Sequence, residues 1–175
     1  MKKIDTTQWG EFALTELFYL CLSSGDNKAN LLNEGDIPLI SSGSFNNGIS
    51  KYIDKGDGIS ELFEGNQITL DMFGKAFYQP DSFYSVSHGR INILKPKFTM
   101  TSYIGRYIAA IINASIGRKY EFKDMCCQKE LVKEFIKLPI DVNGDPDWAY
   151  MEEYMKALEK RVTCSVTALN TLLGG

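Results

Sequence analysis

The sequence predicts an α+β protein: a curled mixed or antiparallel β-sheet domain with one packed helix, followed by a long C-terminal helix of the coiled-coil type. Three observations predict it. Short apolar runs separated by Gly, Asn and Asp turns fill the first two-thirds of the chain. The apolar period then lengthens from two residues to between three and four. From Trp148 onward it settles into a heptad.

The strands come first. Trp9, Phe12, Leu14, Leu17 and Phe18 form an apolar cluster near the start. Ile37-Pro38-Leu39-Ile40 is a short apolar run, followed by the loop Ser41-Ser42-Gly43-Ser44-Phe45-Asn46-Asn47-Gly48. Asn47 and Gly48 both accept positive φ and mark a tight turn. Ile49, Lys51 and Ile53 alternate with Ser50 and Tyr52, as a half-buried strand would. A second turn cluster covers residues 54–58, and Glu64-Gly65-Asn66 opens a strand Gln67-Ile68-Thr69-Leu70. Gly74 breaks the pattern before Ala76-Phe77-Tyr78. The runs 83–86 and 91–94 bracket a loop, Ser87-His88-Gly89-Arg90.

Tyr103, Ile104, Tyr107, Ile108, Ile111 and Ile112 recur at three- and four-residue steps. That spacing predicts one helix packed on the sheet and ending before Gly117. Phe135-Ile136-Lys137-Leu138 predicts a short strand stopped by Pro139. Asp147 then caps a helix whose stripe is Trp148, Met151, Met155, Leu158, Val162, Ser165, Leu169 and Leu172. A seam of period 3.5 asks for a partner helix. At 1.5 Å per residue the helix reaches about 37 Å, longer than so small a domain needs. The expectation is a projecting helix that dimerises or docks another subunit; the alternative is a helix lying on its own domain.

At 175 residues, the chain suits one domain, or one domain plus an appendage. With 44% hydrophobic and 23% charged residues it is neither disordered, collagen-like nor coiled coil alone. No apolar run approaches the roughly 20 residues of a membrane span, and Met1-Lys2-Lys3-Ile4-Asp5-Thr6 is no secretory signal, so a cytoplasmic location is expected. Cys21, Cys126, Cys127 and Cys164 form no CxxC pair, and His88 is the sole histidine. Reduced thiols and no metal site are expected.

The net charge of −3 conceals an asymmetry. Residues 1–71 carry 5 basic and 11 acidic side chains, residues 72–123 carry 8 and 2, and residues 124–175 carry 6 and 9. The basic island comprises Lys75, Arg90, Lys95, Lys97, Arg106, Arg118, Lys119 and Lys123. Neutralising phosphate needs a local field rather than a basic whole, so the island permits polyanion binding.

No catalytic constellation is present: no phosphate loop, no GxGxxG, no HExxH and no GxSxG. His88 could serve as a general base, but its loop neighbours are more informative. Ser87, His88 and Arg90 all donate hydrogen bonds from within the basic island. Ser42, Ser44, Asn46 and Asn47 line the other polar loop. Asn reads adenine edges bidentately, Arg reads guanine, and Ser adapts to either. The same residues, taken alone, are also ordinary turn formers.

An ordered set of short motifs resembles one family. It comprises Trp9-x-x-Phe12-x-Leu14, Gly35-x-Ile37-Pro38-Leu39-Ile40-Ser41, Asn47-Gly48, Gly65-Asn66-Gln67-Ile68-Thr69 and Gly74-x-x-Phe77. It continues with Lys119-Tyr120, Ile136-Lys137-Leu138-Pro139 and Gly144-Asp145-Pro146-Asp147-Trp148-x-x-Met151. Spanning roughly residues 9 to 160, the chain resembles a target recognition domain of type I restriction-modification specificity subunits with its helical region. The resemblance implies a recognition domain at 1–143 and a helical spacer or dimerisation region at 144–175. It implies that the domain reads one half of a bipartite site in double-stranded DNA and has no catalytic activity. A methyltransferase subunit would methylate adenine with S-adenosylmethionine, and a restriction/translocase subunit would cleave; this chain itself would hold no cofactor.

Full specificity subunits carry two recognition domains and two helical regions, where this chain has one of each. It is therefore read either as a half-subunit that pairs with a second copy or as a piece of a longer subunit. Ile140-Asp141-Val142-Asn143-Gly144 also replaces the commoner proline-rich run, as in a family variant of the type IIB-like kind. Phosphate contacts are expected from Lys75, Lys95, Lys97, Arg118 and Lys119. Base contacts are expected from the loops around Ser42, Ser44, Asn46 and Asn47 and around Ser87, His88 and Arg90, with Tyr78 added to the DNA-binding set. Trp148, Met151, Met155, Leu158, Val162, Leu169 and Leu172 form the expected helix interface. Two other classes stand beside this reading: a protein-interaction module or decoy that occupies a methyltransferase without reading DNA, and a hydrolase using His88.

Overall fold

The computed structural model of the chain describes residues 8–22, 25–86, 91–117 and 119–173, with side chains through Leu169. Three sheets are built from nine strands among the described residues. Strand β1 (Trp9–Ala13) leads through a single turn, α1 (Leu14–Leu17), into β2 (Phe18–Leu22). β3 (Glu34–Ile40) and β4 (Ile49–Ile53) form a hairpin around the 41–48 loop. β5 (Gln67–Asp71) and β6 (Ala76–Gln79) form a second, followed by the short β7 (Tyr84–Ser85) and by β8 (Ile91–Pro96). Helix α2 (Ser102–Ser115), one turn α3 (Gln128–Leu131), β9 (Phe135–Pro139) and helix α4 (Trp148–Leu173) complete the chain.

The layers follow from which residues alternate. A four-stranded sheet of order β2-β8-β5-β6, antiparallel throughout, lies in the middle. One of its faces, with Phe18, Ile68, Leu70 and Leu94, packs with Ile104, Ile108 and Ile112 of α2, Ile136 and Leu138 of β9, and Met151 of α4 in the main core. Its other face presents Ile91 and Ile93 to Ile40, Phe63 and Phe83, where a smaller core joins it to the sheet β4-β3-β7. β8 thus alternates Ile91 and Ile93 toward one core with Leu94 toward the other, which is why it reads as a nearly continuous apolar run. β3 and β7 are parallel and every other pairing is antiparallel, so the mixed sheet expected from sequence is found.

Local chemistry explains the helices. Thr101 caps α2 by accepting from Ile104 N–H at 3.3 Å, and the helix stops at Ser115, two residues before Gly117. Asp147 caps α4 as expected, its Oδ1 accepting from Tyr150 N–H at 2.9 Å. Upstream, Asp141 takes the place of a rigid proline run: its Oδ1 accepts from the backbone N–H groups of Asn143 at 2.8 Å and Asp145 at 3.1 Å. These bonds hold its carboxyl below the usual carboxylate range. Antiparallel pairing of β1 with β9 ties the start of the domain to the segment that leads into α4. Cys21, Cys126, Cys127 and Cys164 are free thiols. Among the described residues, no helix is long and apolar enough to cross a membrane.

α4 does two things along its length. Trp148 stacks on Phe98 with centroids 4.0 Å apart and planes 12° apart, and Met151 is 0% exposed in the main core. Met155 and Leu158 are half-buried, whereas residues 159–169 are exposed, including Val162 at 55% and Leu169 at 57%. The stripe is therefore partly spent on its own domain and partly bare. Leu172 lies in the helix, its side chain outside the described ones.

Candidate nucleic-acid interface

Asp71, the last residue of β5, organises the end of the sheet where the loops gather. Its buried carboxylate accepts three backbone N–H groups: Phe73 at 2.9 Å and Lys75 at 2.8 Å on Oδ1, and Gly43 at 3.2 Å on Oδ2. One side chain thus joins the β5–β6 turn to the 41–48 loop. Ile91, which follows the 87–90 segment, pairs with Asp71, and Val86, which precedes it, donates to Ile40 O at 2.9 Å. Gly74 has φ +78, and a Cβ there would stand 2.9 Å from Ile116 O and 3.3 Å from Gly117 Cα. The turn can therefore approach the end of α2 only with glycine at this position. Four segments separated in sequence converge on one edge.

The 41–48 loop is held from inside. Ser41 N–H donates to Gly48 O at 2.8 Å and Gly48 N–H to Phe45 O at 2.9 Å, while Asn46, Asn47 and Gly48 all take positive φ. Asn47 Nδ2 donates to Tyr78 O at 2.9 Å and to Gln79 Oε1 at 3.1 Å. Gln79 Nε2 returns a bond to Asn47 O at 3.0 Å and donates to Thr69 Oγ1 at 3.0 Å. β6 is an edge strand, and edges left open invite further pairing. Asn47 closes part of it, and Asn113 closes the rest by accepting from Ala76 N–H at 2.9 Å and donating to Ala76 O at 2.7 Å.

This geometry sorts the expected contacts. Ser42 turns its hydroxyl inward, where it is buried and makes no hydrogen bond among the described residues. The side-chain amide of Asn47 is committed to β6. Tyr78 is also committed: its hydroxyl donates to Asn66 Oδ1 at 3.0 Å, and its ring lies where a side chain on Gly105 of α2 would be. Burial raises the Tyr78 pKa above that of an ordinary phenol. Tyr78 lines a groove of about 480 Å³ with Asn47, Phe77, Ser102, Arg106 and Asn113. Ser44 and Asn46 remain exposed at the loop tip, with Phe45 between them at 88% exposure. Lys75, half-buried at the same edge, has no ion pair among the described residues.

The expected phosphate contacts are spread over the structure. Lys95 lies opposite Tyr19 on β2, about 13 Å along β8 from Ile91, at the far end of the sheet. Lys97 is at that end too, its Nζ donating to Thr15 O at 2.6 Å and standing 4.7 Å over the Tyr19 ring. Lys119 is paired with Glu134 at 2.6 Å, and Tyr120 donates to the same carboxylate at 2.8 Å, which gives the Lys119-Tyr120 motif a structural task. Arg106 reaches Glu159 on α4 at 3.4 Å. Ser87, His88, Arg90 and Arg118 lie outside the described residues.

Sequence reasoning missed Asp71 and Phe45. Asp71-Met72-Phe73-Gly74, with Asp first and Gly fourth, is a turn signal that could have found the hub. Nothing in the sequence distinguished Phe45 from a core phenylalanine, because exposure at a loop tip is a tertiary property.

The family described as the type I restriction modification DNA specificity domain matches residues 7–168. The specificity subunit S.BcgI of a type II restriction enzyme from Heyndrickxia coagulans is 24% identical over 172 residues, covering 95% of this chain and 48% of that protein. The S subunit of the type I restriction-modification system from M. genitalium superposes with a TM-score of 0.61 at 11% identity, over 95% of this chain and 44% of the other. HsdS from Thermoanaerobacter tengcongensis gives 0.51 at 12% identity, over 96% and 42%. The chain spans about half the length of the curated relative it matches. The likeness to the two solved structures establishes the fold.

Proposed function

Because this chain belongs to the type I restriction-modification DNA specificity family, we propose that it reads one half-site of double-stranded DNA at the Asp71 edge and carries that reading to catalytic partners through α4. It is a specificity component and supplies no catalytic step. The observation that supports this reading best is the convergence of the 41–48 loop, the β5–β6 turn, the two ends of the 87–90 segment and the end of α2. Recognition surfaces sit on such loops when a rigid sheet holds them. Ser44 and Asn46 offer donors and acceptors to base edges, and Lys75 offers a cation to phosphate. Ser87, His88, Arg90 and Arg118 join the set through their chain neighbours at this edge. Lys95, Lys97 and Lys119 are left out of it.

Lys75, joined by Arg90 and Arg118, makes a thin positive field, so the partner subunit supplies much of the phosphate grip. That partner is a methyltransferase that methylates adenine with its own S-adenosylmethionine, joined in the full assembly by a restriction/translocase subunit, all in the cytoplasm. The bare half of α4 pairs with the methyltransferase or with a second copy of this chain. Methylome sequencing of cells carrying the chain and its methyltransferase tests the proposal, with methylated adenines expected inside a bipartite motif. A palindromic motif assigns two identical copies, and an asymmetric one assigns a second, different recognition domain. A methylome identical to that of the methyltransferase alone overturns the proposal. The engagement of Lys97 with Thr15 and of Lys119 with Glu134 also favours a second reading, a decoy that docks the methyltransferase without reading DNA; it expects methylation to be suppressed.

A further inference from the structure

Phe45 is the most exposed aromatic side chain among the described residues, at 88%, and it stands at the tip of the loop that the proposed function assigns to DNA. Exposing a phenylalanine on a flexible loop would be unremarkable, since isolated apolar side chains are common on surfaces. This loop is tied at several points. Phe45 O accepts from Gly48 N–H at 2.9 Å, Gly43 N–H is held by Asp71 at 3.2 Å, and Asn47 is held by Tyr78 O and Gln79. Three successive residues in the left-handed region, Asn46, Asn47 and Gly48, turn the chain sharply beneath the ring. The backbone cost of presenting Phe45 is met in the fold, and a phenyl ring has only two side-chain torsions left to order.

The neighbours narrow the choice of partner. Within the loop, Phe45 is flanked by Ser44 and Asn46, both exposed and polar, and the loop carries no charge. A lone ring between hydrogen-bonding side chains differs from the contiguous apolar patch that a protein partner would cover. It has the form of a wedge or stacking platform: apolar side chains insert between base steps, and aromatic rings stack on unstacked bases while polar neighbours address their edges. We infer that Phe45 stacks on or between bases of the half-site, so that this loop reads how easily a particular step unstacks as well as its hydrogen-bonding edges. The inference rests on the DNA-reading function proposed above.

The test uses the full 175-residue chain assembled with its methyltransferase, and a duplex carrying the motif found by methylome sequencing. Affinity is measured by fluorescence anisotropy across a series of KCl concentrations, with 2-aminopurine placed at successive positions of the half-site. Phe45→Ala is expected to weaken binding about ten- to a hundredfold, the range set by loss of one base–aromatic stack. Because no charge is removed, the slope of log K against log salt stays that of the parent. Phe45→Trp retains binding, and the 2-aminopurine signal rises with the parent protein but not with Phe45→Ala. Binding of Phe45→Ala within about twofold of the parent, with the same 2-aminopurine response, overturns the inference and leaves the function standing. Normal DNA binding with impaired assembly reassigns the ring to a protein contact and also overturns it. If the parent protein does not prefer the motif over a scrambled duplex, the proposed function fails, and the role of Phe45 with it.

Discussion

The inner and outer halves of α4 carry one heptad stripe, apolar but for Ser165, in two environments. Within the inner half, Trp148 stacks on Phe98, Met151 is fully buried, and Tyr154 packs edge-on against Tyr107 with centroids 5.8 Å apart. In the outer half, Val162, Val166 and Leu169 lie half exposed or more. The change comes at Glu159, where Tyr103 and Arg106 of α2 make the outermost hydrogen bonds between the two helices among the described residues. Beyond that point residues 160–169, about 15 Å of helix, are exposed. A helix of that length is marginal alone in water, so the packed half serves as its nucleus. A heptad therefore says that a stripe will be buried without saying by what: here the domain itself covers the first part, and only the second is left for another helix.

The largest expected effect lies in the inner half. Met151→Ala opens a cavity in the main core and is expected to cost about 3 kcal/mol, read by urea denaturation. Val162→Ala, on the same stripe, is expected to change stability by less than about 0.5 kcal/mol. Equal losses would mean that the outer half is also packed in solution, and the contrast would be gone. The contrast reverses on assembly. Val162→Asp combined with Leu169→Asp should leave the isolated chain stable yet weaken its association with the methyltransferase, or with a second copy, by at least about tenfold in sedimentation. A double variant that assembles normally would leave the outer stripe without a partner.

What could be read from the sequence divides along similar lines. Local patterns were legible: the Ile49–Ile53 alternation, the α2 period, the Asp147 cap and the stop at Pro139 each depend on residues close together in the chain. The pairing of β1 with β9 was not legible, because it joins segments more than a hundred residues apart. The loop cluster was legible only as two polar loops. That the 41–48 loop meets the β5–β6 turn depends on Asp71, whose bonds to Gly43, Phe73 and Lys75 are fixed by folding. Charge was legible only as a stretch of chain. Lys75, Lys95, Lys97 and Lys119 fall within residues 75–119, but β8 leads Lys95 and Lys97 to the far end of the sheet, and Glu134 and Thr15 engage two of these lysines.

Thiol chemistry can follow the comparison without altering the stripe. Cys164 is exposed on the outer half of α4, while Cys126 is buried beneath the sheet. Burial, aided by the Glu134 charge, pushes the Cys126 thiol up to about 12, so little thiolate exists at pH 8. Maleimide is expected to modify Cys164 quickly and Cys126 slowly in the isolated chain, as read by peptide mass spectrometry. On assembly, Cys164 should slow severalfold while the rate at Cys126 stays unchanged. Unaltered labelling of Cys164 in the complex would mean that this part of the helix stays bare.

The smallest effect concerns the boundary itself. Glu159 accepts from Tyr103 Oη at 2.7 Å and from Arg106 at 3.4 Å. The hydrogen bond from Tyr103, and after it the interactions with Arg106, hold its carboxyl below the usual carboxylate range, and the same bond raises the Tyr103 phenol. A carboxyl whose folded pKa is depressed stabilises the fold above its unfolded pKa of 4.5, and that contribution disappears as pH falls through the lower folded value. Both partners are exposed, so Glu159→Gln should lower Tm by no more than a degree or two at pH 7. The parent and variant curves should converge once the pH is well below 4.5. A loss of ten degrees would instead make the Glu159 contact a requirement for seating the inner half, and the division of α4 would then rest on this polar clamp rather than on where the apolar core of the domain ends.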